Sequence, residues 1–132
     1  MTNAVYPKAK EAMMSGDLAL DTDAVVAVLV DTASYTYSTS HEFLSDIPVG
    51  ERVATSATLA SPTTVNGVFD SANTLFSAVT GDVSEALVLV QNSGNASTSR
   101  LIAYIDSATG LPVTPDGTNI NITVNASGWF AL

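Results

Sequence analysis

The run Ala24-Val25-Val26-Ala27-Val28-Leu29-Val30 constrains this chain most, because it is apolar at every position and mostly β-branched. A strand with one wet face alternates apolar and polar residues, whereas this run reads as a strand covered on both faces. It is placed at the centre of a sheet. Covering both faces takes apolar material, and the chain has it: 46% of residues are hydrophobic and only 13% charged, the composition of a packed domain and not of a solvated tail. A length of 132 residues suits one such domain.

Residues 5–15 are predicted as a helix, with Pro7 where a first turn tolerates it, Lys8, Ala9, Lys10, Glu11, Ala12, Met13 and Met14 helix-compatible, and Gly16 as the stop. Tyr6, Ala9 and Met13, with Val5 and Ala12, form an apolar stripe that faces either the core or a neighbour. Tyr35 and Tyr37 suggest a second strand over 34–38, and 41–47 reads as a short helical turn before Pro48. Further strands are predicted over 52–60, 63–69, 74–80, 85–91, 99–106 and 119–125. They are separated by Pro62, Asn66-Gly67, Gly81, Asn92-Ser93-Gly94-Asn95 and the stretch from Thr109-Gly110 to Asp116-Gly117.

Strands at this spacing predict a mainly β fold, an antiparallel β-sandwich or barrel-like domain with a short N-terminal helix. Its parts are a helical arm (1–20), a β core (24–126) and an apolar tail (127–132). In the last strand Ile120, Ile122 and Val124 alternate with Asn119, Asn121, Thr123 and Asn125, so one face is wet. Trp129, Phe130 and Leu132 follow, and an apolar end of this kind either tucks in or docks elsewhere.

Charge narrows the partners. Lys8, Lys10, Arg52 and Arg100 stand against thirteen acids, a formal net charge of -9. A phosphate backbone demands clustered cations, so nucleic acid is not expected as a partner. No stretch reaches the ~20 apolar residues of a membrane helix, and the opening Met1-Thr2-Asn3-Ala4 lacks the pattern of a secretory signal, which predicts synthesis in a cytoplasm. The sequons at Asn95, Asn121 and Asn125 read as chance in a chain rich in Ser, Thr and Asn.

Reactive chemistry finds little to build on. The absence of cysteine removes disulfides, thiolate nucleophiles and Cys-type zinc sites. The single histidine, His41, has no nucleophile-elbow pattern to serve and reads as a loop residue beside Glu42. Asp17, Asp21 and Asp23 lack the alternating acids, glycine and distant glutamate of a calcium loop, so they read as solvated acids. Asp106, Asp116 and Gly117 read as turn formers. No glycine-rich phosphate cradle is present. Tyr35, Tyr37 and Trp129 suit either an aromatic platform or, more in keeping with burial of such residues, the core. No catalytic residue, metal or cofactor is predicted.

Three blocks carry a resemblance. They are Val26-Ala27-Val28-Leu29-Val30-Asp31-Thr32-Ala33-Ser34-Tyr35-Thr36; Glu42-Phe43-Leu44-Ser45-Asp46-Ile47-Pro48 with Arg52-Val53-Ala54; and Leu101-Ile102-Ala103-Tyr104-Ile105-Asp106 continuing through Thr109-Gly110-Leu111-Pro112-Val113-Thr114-Pro115. With the opening Asn3-Ala4-Val5-Tyr6 and the Ser15-Gly16-Asp17 that closes the helix, they resemble a family of small virion structural proteins of tailed bacteriophages. The resemblance implies a capsid cement or decoration protein, with a tail or neck component, or a virion-displayed carbohydrate- or receptor-binding module, as alternatives. It implies as partners the major capsid protein and copies of this chain, as a dimer or trimer on the particle, and location at the capsid surface. Under that role Tyr6, Met13, Met14, Trp129, Phe130 and Leu132 are expected to contact neighbouring subunits. Truncation of residues 1–16 is then expected to abolish particle binding and leave the β fold intact.

Overall fold

The computed structural model describes residues 3–124 and 127–131. The chain opens with β1 (Ala4–Val5) and passes directly into α1 (Pro7–Ser15). Tyr6 joins them in an extended conformation, as the residue before a proline prefers, and Gly16 closes the helix in the left-handed region at φ 81°. The strand β2 (Val25–Val30) is buried at every residue.

Two short 3-10 turns, Leu44–Asp46 and Val49–Glu51, lead into β3 (Arg52–Thr55). Then come β4 (Thr63–Val65), β5 (Val68–Asp70), β6 (Thr74–Phe76), β7 (Ala86–Gln91), β8 (Leu101–Ile105), β9 (Ile120–Ile122) and β10 (Phe130–Ala131).

The main sheet has the order β1-β8-β7-β2-β3 and every pairing in it is antiparallel. At its heart, β2 and β7 pair continuously from Val25↔Gln91 to Val30↔Ala86. Register shifts at Leu29/Val30 towards β3 and at Leu89/Val90 towards β8 bend the flanking ladders. Two smaller sheets, β10-β5-β4 and β6-β9, add Phe69, Phe76, Ile120 and Ile122 to the same hydrophobic core. The helix packs on β8 through its buried Ala9 and Ala12. The fold is thus mainly β and antiparallel, sandwich-like, with one short N-terminal helix.

Several expectations change. Residues 34–38 form no strand: Asp31 turns the chain, its carbonyl accepting from the Ser34 and Tyr35 amides and its carboxylate from the Ala33 amide. The segment 63–69 is a hairpin, β4 and β5, folded at Asn66 and Gly67 with φ 54° and 78°. Strands predicted to end at 60 and 80 stop at Thr55 and Phe76, and β9 stops at Ile122; Asn125, the predicted end of the last strand, lies outside the described residues.

The larger correction concerns the ends. In the predicted arm 1–20, the described residues, from Asn3 on, are tied into the fold, since β1 completes the main sheet against β8 (Ala4↔Tyr104, Val5↔Ala103). Residues 127–132 are likewise no free tail in their described part. Phe130 pairs with Phe69 and Ala131 with Val68, and the Trp129 amide donates to the Phe69 carbonyl at 2.8 Å. Leu132 lies outside the described residues.

Candidate functional site

All four tyrosines of the chain meet at one place, where the start of α1, the turn after β2 and β8 come together. Tyr6 is fixed by its own backbone, whose amide donates to the Ile102 carbonyl at 3.0 Å. Its buried hydroxyl lies 2.7 Å from that of Tyr35, and the Tyr35 hydroxyl lies 2.8 Å from His41 Nδ1. The Tyr37 ring fills the gap between Tyr6, at 4.8 Å, and Tyr104, at 5.8 Å between centroids. Such tilted pairs stabilise beyond their area by about 1 kcal/mol each.

Burial sets the electrostatics of this cluster. It pushes the Tyr6 phenol far up, reinforced by the Tyr35 hydroxyl, and pushes the Tyr35 phenol up to about 12. Burial also raises Tyr37 and Tyr104. Beside them Asp46 is held below the usual carboxylate range, first by the Glu42 amide and then by that of Phe43, at 2.8 and 3.1 Å from Oδ2.

An alkaline titration tests this arrangement. A phenol with a folded pKa above its unfolded value of 10 contributes stability that is complete below pH 10 and is lost as pH rises through the folded value, about 12 for Tyr35. Phenolate absorbance is therefore expected to rise together with the loss of β circular dichroism between those limits. Full ionisation of four tyrosines near pH 10 with the dichroism unchanged would mean that the cluster is open to water.

Two depressions border the tyrosine cluster. One of about 270 Å³ is lined by Thr32, Tyr35, Thr36, Tyr37 and Tyr104. A groove of about 650 Å³ runs between the two chain ends, with Asn3, Ala4, Val5, Pro7 and Lys10 on one side and Trp129, Phe130 and Ala131 on the other, and Tyr37 also in its lining. Beyond the same end strands lies a third cavity of about 300 Å³, which shares Asn3, Trp129, Phe130 and Ala131 with the groove.

The residues expected at a subunit interface fare differently. Tyr6 and Trp129 are core residues, 0% and 4% exposed. The Trp129 indole donates to Ser71 Oγ at 2.8 Å, leaving it no unpaired donor to offer. Their polar atoms are bonded, and nearly all of their surface is buried, inside the fold. Met13 is half-buried against the core, and Phe130 is half-buried with its ring 5.6 Å from that of Phe69. Met14, 81% exposed, projects freely.

The other sequence candidates are mostly tied into local structure. The carboxylate of Asp23 accepts from the Ala19 amide and, at 2.6 Å, from Gln91 Nε2. No three His, Asp or Glu side chains converge as metal ligands among the described residues. Asp116 accepts from the amide and hydroxyl of Thr118, which holds its carboxyl below the usual range. His41 faces the Tyr35 phenol and stacks at 5.4 Å on its ring. The aromatic platform dissolves accordingly: Tyr35 and Trp129 are buried, and only Tyr37 is partly open.

Sequence reasoning did not find the groove. Lys10 and Pro7 look like ordinary helix residues, and only the pairing of the end strands brings them opposite Phe130. No protein-family model matches the chain, and no curated protein matches it.

Proposed function

We propose that this chain is a non-enzymatic structural protein of a tailed-phage virion, made in the host bacterial cytoplasm, and that it serves as a capsid cement protein bound to the major capsid protein. The resemblance described above carries the proposal; of its blocks, those on β2 and β8 are buried throughout, and those on the turn after β2, on β3 and after β8 are partly exposed. The hydroxyl bonded to His41 is the buried phenol of Tyr35, which also meets the buried Tyr6 hydroxyl at 2.7 Å, a position inside the fold that favours a binding role over hydrolysis.

A cement protein stabilises a shell by binding the assembled lattice and not free subunits, so its binding free energy adds to shell stability by mass action. Suitable contact points are present in Met14, Val49 and Val65, aliphatic side chains 81%, 76% and 62% exposed. An acidic surface also discourages adhesion to packaged DNA. With Tyr35 and Trp129 directed inward, a displayed glycan-binding module has less to recommend it.

The test is co-sedimentation of purified protein with expanded capsids and, separately, with tails of its own phage, each stripped of it. Pelleting with capsids alone is the expected result. Pelleting with tails alone would replace the shell role by a tail or neck role, and pelleting with neither would remove both.

A further inference from the structure

The groove between the chain ends has two properties that together specify an occupant. The first is its walls. Among the described residues β1 is the outermost strand of the main sheet and β10 the outermost strand of the sheet β10-β5-β4, so each wall is a sheet edge with no further described strand beside it. Strand edges carry backbone donors and acceptors that an incoming extended chain satisfies, the basis of recognition by strand addition. A compact small molecule cannot match such a row.

The second property is charge. Among the groove's described lining residues there is no Asp or Glu, in a chain with a net charge of -9, and one of them is a cation, Lys10. The other three cations are engaged: Lys8 lies 3.5 Å from Glu11, Arg52 Nε donates to the Ile47 carbonyl at 2.8 Å, and Arg100 lies 3.3 Å from Glu42. Lys10 is exposed and has no ion pair or side-chain hydrogen bond among the described residues. Around it the half-buried Val5, Pro7, Tyr37 and Phe130 present apolar surface, with the nearly buried Trp129 behind them in the lining. A basic or strongly polar segment would lose its solvation there and gain nothing.

We propose that this groove receives an extended, apolar peptide segment of a partner protein, added as a strand against β1 or β10, with a carboxylate side chain of the segment on Lys10. The site holds whether the partner is a shell protein or another protein, so it stands apart from the capsid role. In an extended segment, alternate side chains point the same way. Those facing the groove meet the aromatic wall, and the acid sits at one position among them. Trp129, the only tryptophan of the chain, lies in the wall and reports occupancy.

The experiment is selection of a random nine-residue peptide library, free of tryptophan, on the full-length protein. Affinities of the selected peptides are then measured by Trp129 fluorescence on wild type, Lys10→Glu and Lys8→Glu. Selected sequences are expected to alternate apolar residues and to share one acid. Lys10→Glu is expected to weaken them at least tenfold, exchange of that acid for lysine is expected to restore binding to Lys10→Glu, and Lys8→Glu is expected to leave affinity unchanged. An unchanged near-ultraviolet spectrum of each variant guards against misfolding.

Failure to select any peptide, selection of basic peptides, or binding indifferent to Lys10→Glu would overturn the proposal. So would a groove blocked by concentration-dependent self-association of the protein. Wild-type pelleting with capsids alongside peptide failure would sink the groove alone, and peptide binding without capsid pelleting would sink the capsid role alone.

Discussion

Removal of residues 1–16 is expected to unfold the protein, with no cooperative thermal transition and loss of near-ultraviolet dichroism. The deletion strips β1 from β8, leaving the backbone of a fully buried strand without its outer partner. It also removes Ala9 and Ala12 from the surface of β8 and Tyr6 from the core. Complete burial of a tyrosine stabilises by about 4 kcal/mol from area alone, against a total stability of roughly 5 to 15 kcal/mol for a domain. The loss is therefore comparable with the whole.

A conservative companion isolates one part of this effect. Tyr6→Phe keeps the ring and removes only the hydroxyl that meets Tyr35, so it is expected to fold and to cost about 1 kcal/mol. A truncated protein that melted cooperatively near the wild-type temperature would restore the picture of an independent arm. Loss of particle binding on truncation would in itself say nothing about contacts, because the fold goes with it.

What could be read from the sequence was what local pattern decides. β2 was legible because a run apolar at every position has few uses, and the end of α1 because Gly16 supplies the left-handed residue a helix stop requires. Ile120, Asn121 and Ile122 alternate between core and water as their spacing predicts. Residues 34–38 misled for a physical reason: Tyr35 and Tyr37 do aim into one cluster, but a turn anchored on Asp31 aims them, with no strand partner.

The site was illegible because its bonds span the chain. Tyr6 meets Tyr35 across 29 positions, and Asn3 meets Ser107 across 104. No spacing rule reports on such pairs. Lys10 acquires its meaning only when β1 and β10 stand at the edges of their separate sheets, a property of topology and not of residue pattern.

The wall of the groove that carries Trp129 depends on one glycine, and Gly128→Ala is expected to lower stability by about 3 kcal/mol and the melting temperature by roughly 10 °C. Gly128 is buried and has φ 91°, where an alanine is strained whatever the space. Space is lacking as well, since an added Cβ would lie 2.6 Å from Val68 Cγ1 and 2.9 Å from the Phe69 carbonyl oxygen. That carbonyl cannot retreat freely, because the Trp129 amide donates to it at 2.8 Å and β10 pairs with β5 directly beyond. Gly94→Ala serves as the control: its φ of 88° imposes similar strain, but nothing lies within 4 Å of the new Cβ, so about 1 kcal/mol is expected. The difference between the two variants measures the close approach of the 128 turn to β5, free of the backbone term. Equal losses would mean that Gly128 does not sit against Phe69, and the pairing of β10 with β5, together with the groove wall built on it, would fall.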